Sequence, residues 1–298
     1  MNILILGGNG YLGSKVVNYL ICEGHKITCT KRETSDISRL EGKKVNWIPA
    51  SVEAVTAAMG FEQFEWVLNM ACNYGRSTIL YENVLEANIE FPLRVLNKAA
   101  EYKVKNFLTI GTGLPERFNM YSFSKSIFGS FGAFYVEKQG INFYDLKLQM
   151  FYGADEPSDR FISLVVHNML MGKEVNTTLG TQKRDIIWVE DIVRAVAMVL
   201  HANISGYHEV PVGTGVAPSI SEIVEYIWEE TGFCAELNKG AIPMRENEPD
   251  CVADTSFLSG IGKWNPVYWR TGLHRMIEDV RREMAQSETE ANRFCGRY

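Results

Sequence analysis

Residues 1–20 read MNILILGGNGYLGSKVVNYL. Ile3 to Leu6 form a short apolar run, a glycine-rich turn follows, and Leu12, Val16, Val17 and Leu20 then recur at helical spacing. The pattern predicts strand, turn and helix. Gly8, Gly10 and Gly13 fit G-x-G-x-x-G, and Gly7, Gly10 and Gly13 fit the variant with one more residue between the first two glycines. Both arrangements meet one physical demand. The first glycine makes the tight turn, the middle one lets backbone approach a pyrophosphate, and the last lets helix pack closely on strand. The phosphates of a dinucleotide would then rest on the helix N-terminus.

A second strand over 26–30 ends about 20 residues beyond the glycines, where an Asp or Glu commonly accepts hydrogen bonds from the ribose of NAD. Here Lys31 and Arg32 follow it. An acid would repel a ribose 2′-phosphate, whereas two cations offer it charge-assisted hydrogen bonds. The expected cofactor is NADP(H), with NAD(H) possible. The competing reading makes Lys31 and Arg32 a solvated loop pair.

The pattern of the first strand and helix continues. Strands are expected near 2–6, 26–30, 45–49, 65–71, 105–111 and 141–148 with helices between them, which is an α/β fold with a Rossmann-type doubly wound parallel sheet. A helix near 159–171, short strands near 175–179 and 186–189, a helix from Glu190, a strand at 207–212 and a helix from Ser219 read as a smaller C-terminal lobe. The expected domains are therefore 1–150, binding the dinucleotide, and 151–298, binding substrate, with a frayed tail. A chain of 298 residues can bury a substantial core. A net charge of −6 without a long basic run argues against nucleic acid as a partner. No apolar stretch reaches the length of a membrane span, and the N-terminal stretch reads as a strand rather than a signal peptide. The six cysteines lack metal spacing and read as reduced thiols, and His167, His201 and His208 are spread without ligand spacing, so no metal is expected and the expected compartment is the cytoplasm.

Tyr121 and Lys125 in NMYSFSK stand four apart where a helix begins, so both project from one face. An ammonium beside a phenol favours the phenolate and lowers its pKa from about 10. The phenol can then exchange a proton with an alcohol or sugar oxygen near neutral pH. Thr112, at the end of the fifth strand, could hold the same oxygen.

Together these residues resemble the extended short-chain dehydrogenase/reductase family, which comprises nucleotide-sugar epimerases, dehydratases and reductases. The resemblance runs through GGNGYLG, Asn88, YSFSK, FYG at 151–153, QKRDIIWVEDIV at 182–193 and RENEPDCVADTS at 245–256. It implies that Thr112, Tyr121 and Lys125 are catalytic. It also implies a cofactor site of Gly7, Gly10, Tyr11, Leu12, Gly13, Lys31, Arg32, Ala71, Asn88, Tyr121 and Lys125. Tyr74, Arg76, Arg184 and Arg245 would bind a nucleotide-sugar substrate, with both Arg184 and Arg245 gripping its diphosphate. NYGR, GTGLP, LKLQMFYGADEPSDRF and VGTGVAPSI look like stretches of the family's 4-ketoreductases of CDP-3,6-dideoxyhexoses. Two departures stand out: Lys147 where the family usually has Arg, and Ser51 where an adenine-contacting Asp is usual.

In the family's 4,6-dehydratases an Asp-Glu pair follows the active-site Thr, because eliminating water needs an acid and a base. Gly113 and Leu114 stand there instead, which argues against dehydration. A C4 epimerase re-reduces with the cofactor it has just reduced, and so gains nothing from selecting NADP. Lys31 and Arg32 therefore favour net reduction of a ketone. The alternatives are an epimerase with tightly held NAD and a non-catalytic dinucleotide sensor. The aromatic stripe Phe128, Phe131, Phe134 and Tyr135 reads equally as core and as part of a four-helix homodimer interface, which the resemblance implies.

Overall fold

The computed structural model describes residues 1–75, 81–246 and 248–295, with side chains as far as residue 286. In chain order the strands are β1 (Asn2–Leu6), β2 (Lys26–Lys31), β3 (Val45–Pro49), β4 (Trp66–Asn69), β5 (Asn106–Thr112), β6 (Asn142–Leu148), β7 (Met150–Tyr152), β8 (Val175–Thr177), β9 (Ile186–Trp188), β10 (Tyr207–Val212) and β11 (Leu237–Lys239). The helices are α1 (Tyr11–Cys22), α2 (Val52–Phe61), α3 (Glu82–Leu85), α4 (Phe91–Glu101), α5 (Met120–Gln139), α6 (Phe161–Leu170), α7 (Val189–Ala202), α8 (Ile220–Glu230), α9 (Ser256–Ile261) and α10 (Trp269–Cys295). A single π-helical turn, Glu86–Glu90, joins α3 to α4.

Seven strands form one parallel sheet in the order β10-β6-β5-β4-β1-β2-β3. The order reverses between β1 and β4, so the loops leaving their carboxyl ends open a crevice there, the usual ligand position in such sheets. Ile3, Leu4, Ile5 and Leu6 of β1 are all fully buried, as expected where helices cover both faces and strands read as continuous apolar runs. Phe107 and Phe143 stack at 5.5 Å between ring centroids, and Phe128 from α5 tilts against both. The expected aromatic stripe is thus divided: Phe128 is core, while Phe131 and Phe134 are exposed.

The chain divides into two compact units, Met1–Gln149 with Ile192–Val212 and Asp254–Trp264, and Met150–Asp191 with Gly213–Ala253 and Asn265–Tyr298. The strand expected at 207–212 forms, but in the main sheet, where β10 pairs with β6 from Tyr207↔Phe143 to Val212↔Leu148. It had read as part of the smaller lobe because sequence order carries no information on which edge a late strand joins. Its alternating Val210 and Val212 are fully buried, and Tyr207 stacks on Phe143.

The second unit has its own core, built from Tyr152, Ile162, Val166, Ile186, Ile223, Ile227, Leu273 and Ile277 among others. It contains the pairs β7–β9 and β8–β11. Strands β7 and β11 are three residues long, too short to show a period in the sequence. No helix among the described residues is long and apolar enough to cross a membrane.

Candidate active site

The turn between β1 and α1 is a cradle that side chains would fill. Gly7 has φ +73°, and a Cβ there would lie 2.8 Å from the Ala71 backbone. A Cβ on Gly13 would lie 2.3 Å from the Gly7 carbonyl oxygen, so α1 can meet β1 this closely only without one. Gly10 is the N-cap of α1 with no side-chain cap hydrogen bond, and the first turn carries no acid. The first N–H groups of the helix thus point, uncapped, where a pyrophosphate would rest. Of the two spacings, Gly7, Gly10 and Gly13 carry the turn, while Gly8 makes room for Cys29 Sγ, 2.6 Å from where its Cβ would be. Gly13→Ala should destabilise the fold by about 1–3 kcal/mol and weaken dinucleotide binding. Urea unfolding and NADPH titration of the variant measure the two effects.

Tyr11 is buried at the start of α1, with Leu12 partly exposed beside it. The Lys15 ammonium and the Arg39 guanidinium each lie 5.5 Å from the Tyr11 ring centroid. Asn9 Nδ2 donates to the Asp36 carbonyl at 3.1 Å, tying the loop after β2 to the glycine turn. Lys31 closes β2, opposite Pro49, and is half-buried, while Arg32 is exposed. Hydrogen bonds between Arg32 and Ser35, each about 3.1 Å, turn the chain directly after the two cations. The structure therefore brings Lys31, Arg32 and the glycine turn together at the carboxyl edge of the sheet. Sequence reading missed Asn9 and Arg39, and only the Asp-x-Ser motif of Asp36 and Ser38, whose carboxylate caps the Ser38 N–H at 2.8 Å, marks the turn that delivers Arg39. Ser51 makes no such link and instead caps α2, accepting from Ala54 N at 3.2 Å.

The chemistry-bearing residues converge around the start of α5. Asn119 caps this helix in a reciprocal capping box with Ser122, a contribution of about 1 kcal/mol that fixes the start of the helix on which Tyr121 and Lys125 stand one turn apart. The Tyr121 ring lies against that of Tyr74, centroids 4.9 Å apart. Lys125 is 2% exposed and donates to the Ala71 carbonyl at 3.3 Å. Burial pushes its ammonium below the usual lysine range, opposed by the Cys72 and Asp145 side chains. Thr112 stands at the end of β5, partly exposed, and its hydroxyl accepts from Leu114 N at 3.3 Å.

Asn88 sits behind this cluster, fully buried in the π-helical turn. Its amide oxygen accepts from Asn73 N at 2.8 Å, and its amide nitrogen donates to Asn73 O and to Ser124 Oγ, both at 2.9 Å. Ser124 in turn donates to the Tyr121 carbonyl at 2.8 Å. Asn88 thus holds the loop after β4 against α5, and with it Ala71, Cys72 and Tyr74. Arg76 lies outside the described residues.

In the second unit Arg184 is 5% exposed. It donates to Glu248 Oε1 at 2.8 Å, to Lys183 O at 2.9 Å and to Pro249 O. The guanidinium therefore anchors the segment that begins with the exposed Arg245. Its neighbour Asp185, missed in the sequence, is fully buried and accepts from Thr214 N, Gly215 N and Ala253 N at 2.8–3.1 Å. A buried carboxylate so placed ties together three loops of this unit.

The model of the NAD dependent epimerase/dehydratase family matches residues 3–213. The chain belongs to that family. It is an enzyme of the extended short-chain dehydrogenase/reductase type. Among curated relatives, the CDP-abequose synthase of Salmonella muenchen is 27% identical over 286 residues, covering 92% of this chain and 96% of its own. Among solved structures, the UDP-glucose 4-epimerase of Thermotoga maritima with UDP-glucose superposes with a TM-score of 0.85 at 23% identity, covering 95% of this chain and 100% of its own. That of Thermus thermophilus with NAD gives 0.82 at 21%, covering 94% and 99%. For an epimerase/dehydratase family member, the uncapped glycine turn and the Ala71 backbone close against it are the observations that fit a nicotinamide dinucleotide.

Proposed function

We propose that this family member is an NADPH-dependent 4-ketoreductase of a nucleoside-diphosphate deoxysugar, with CDP-4-keto-3,6-dideoxyglucose as the first substrate to test. The observation that carries the reading is the pair Lys31 and Arg32 at the end of β2, tied through the Asn9–Asp36 bond to the glycine turn. Gly113 and Leu114 after Thr112 support it, because they supply neither acid nor base for dehydration. The likeness to a CDP-abequose synthase over most of both chains supports the substrate class.

When bound, the dinucleotide supplies the hydride that reduces the C4 ketone. Tyr121 donates the proton to the oxygen formed there, Thr112 holds that oxygen with its hydroxyl, and Lys125 favours the phenolate left behind. The Tyr74 ring limits how far the Tyr121 ring can turn. Asn88 holds the loop that carries Tyr74 against α5, which carries Tyr121 and Lys125, through Asn73 and Ser124. Lys31 and Arg32 hold the ribose 2′-phosphate. Phe131 and Phe134 on α5 give a second copy an apolar surface, and sedimentation of the purified protein should show a dimer.

Arg245 is the diphosphate ligand in this reading, and Arg184 contributes by holding its segment in place. Arg245→Ala should weaken nucleoside diphosphate binding by roughly tenfold or more, one charged hydrogen bond being worth about 1.5–3 kcal/mol. NADPH affinity should be unchanged. Arg184→Ala should lower the thermal midpoint as well as diphosphate affinity, since it removes the buried donor shared by Glu248, Lys183 O and Pro249 O. Calorimetric titration and thermal unfolding of both variants separate the roles.

The deciding assay is NADPH oxidation in the presence of CDP-4-keto-3,6-dideoxyglucose. Turnover with release of NADP is the expected result. Interconversion of a nucleotide sugar and its C4 epimer without net NADPH consumption would instead establish the epimerase, and no reaction with any nucleoside-diphosphate 4-keto sugar would leave a dinucleotide sensor.

A further inference from the structure

Asp145 is an acid in the middle of the main sheet, 0% exposed, on β6 opposite Thr109 of β5. Two glycines make room for it. A Cβ on Gly111 would fall 2.1 Å from Asp145 Oδ1, and a Cβ on Gly129 would fall 2.5 Å from Oδ2. The carboxylate is thus pressed against the backbone of β5 on one side and of α5 on the other. Glycine is a poor residue for the interior of a helix, so its presence at position 129 of α5 fits the demand for this space. Lys125 lies four residues before Gly129, one turn away on the same face of α5.

The groups facing the carboxylate can be named element by element. On its own strand Lys147, two residues along and on the same face, brings Nζ to 2.7 Å from Oδ2. From β10, Glu209 lies 3.4 Å from Lys147, and the Tyr207 hydroxyl donates to Glu209 at 3.2 Å. From α5 comes Lys125, whose ammonium the Asp145 charge stabilises against the cost of burial. From the loop after β4, the Ala71 carbonyl accepts from Lys125 at 3.3 Å, and Cys72 follows it in the chain. Burial pushes the Asp145 carboxyl up from the usual range, and the ammonium groups of Lys147 and Lys125 oppose that rise. An apolar side chain would fill this space without the cost of desolvating an ion.

We propose that Asp145 is a positioning residue for the proton-exchanging pair, the counter-charge of the Lys125 ammonium from beneath α5, itself paired with Lys147. The proposal rests on Tyr121 and Lys125 acting as a pair, but not on the identity of the sugar. Without the Asp145 charge, Lys147 keeps only the exposed Glu209 as a counter-charge and Lys125 loses its own. Lys125 then gives up its proton more readily, and the Tyr121 phenol loses the neighbour that favours its ionisation.

The test reads the Tyr121 phenol directly, in the full chain and with no nucleotide sugar present. Phenolate absorbance is titrated against pH for the wild type, Asp145→Asn and Lys147→Met, each minus the same protein carrying Tyr121→Phe. Asp145→Asn should raise the Tyr121 midpoint by roughly one pH unit. Lys147→Met should raise it in the same direction, because Asp145 without its partner takes up a proton. Lys147 is partly exposed, so this variant tests the idea even if Asp145→Asn fails to fold. A midpoint that stays at the wild-type value in a folded variant overturns the proposal. A wild-type midpoint already at the free-tyrosine value near 10 overturns the Tyr121–Lys125 pairing itself. That second failure is recognised because the wild type, rather than the variants, departs from expectation.

Discussion

Tyr121→Phe should lower turnover of a 4-keto nucleotide sugar by about 10²-fold or more while leaving the NADPH dissociation constant unchanged. Only a hydroxyl is removed. The cap of α5 is made by Asn119 and Ser122, the Lys125–Ala71 bond uses the lysine's own ammonium, and a phenyl ring keeps the contact with Tyr74. The variant should therefore fold and bind cofactor as the wild type does. Loss of activity then isolates the proton donor. Steady-state rates of the purified variant, with NADPH binding followed by fluorescence, are the measurement. Near-normal turnover would mean that another group delivers the proton, and Thr112, whose hydroxyl stands at the end of the adjacent strand, would be examined next.

Replacing both Lys31 and Arg32 by neutral residues should raise the NADPH dissociation constant by roughly 10²-fold or more, each lost charged contact being worth about 1.5–3 kcal/mol. NADH affinity should change little, because NADH has no 2′-phosphate. Lys31→Asp should go further and favour NADH, since an acid at the end of β2 can accept from the ribose hydroxyls. The backbone bonds that shape this loop, Ala50 N to Lys31 O and Arg32 N to Ser35 Oγ, do not depend on either side-chain charge. The comparison should therefore report cofactor recognition rather than folding. Equal affinity of the wild type for NADH and NADPH would return Lys31 and Arg32 to the status of a solvated pair and remove the main support for a reductase over an epimerase.

The same local logic accounts for what could be read without coordinates. The central parallel strands of the first unit were legible because a strand buried on both faces writes itself as an apolar run between turn residues, as Ile3–Leu6 does. The glycine turn was legible because an α1 packed within a Cβ's reach of the Gly7 carbonyl admits one residue type at position 13. Tyr121 and Lys125 were legible because four residues make about one turn of helix. Each of these signals depends on neighbours within a few residues, so the amino-acid order alone determined them, together with the charge reversal at Lys31 and Arg32 and the family to which the chain belongs.

Tertiary structure decided what depends on partners distant in sequence. The strand at 207–212 was visible, but its place beside β6 was set by burial of Val210 and Val212 against residues some 60 positions earlier. Arg184 read as a diphosphate ligand beside Arg245, and its burial against Glu248 and Pro249 could not be seen because nothing near it in the chain announces those acceptors. Asn88 read as a ligand to the cofactor, and only the folded chain shows its amide turned to Asn73 and Ser124. Asp145 gave no sign at all, since a lone acid in a strand is ordinary until two glycines from other elements close on it. Backbone periodicity is local and survives in the sequence, whereas which polar groups meet in the interior is settled only when desolvation makes each buried charge and amide find a partner.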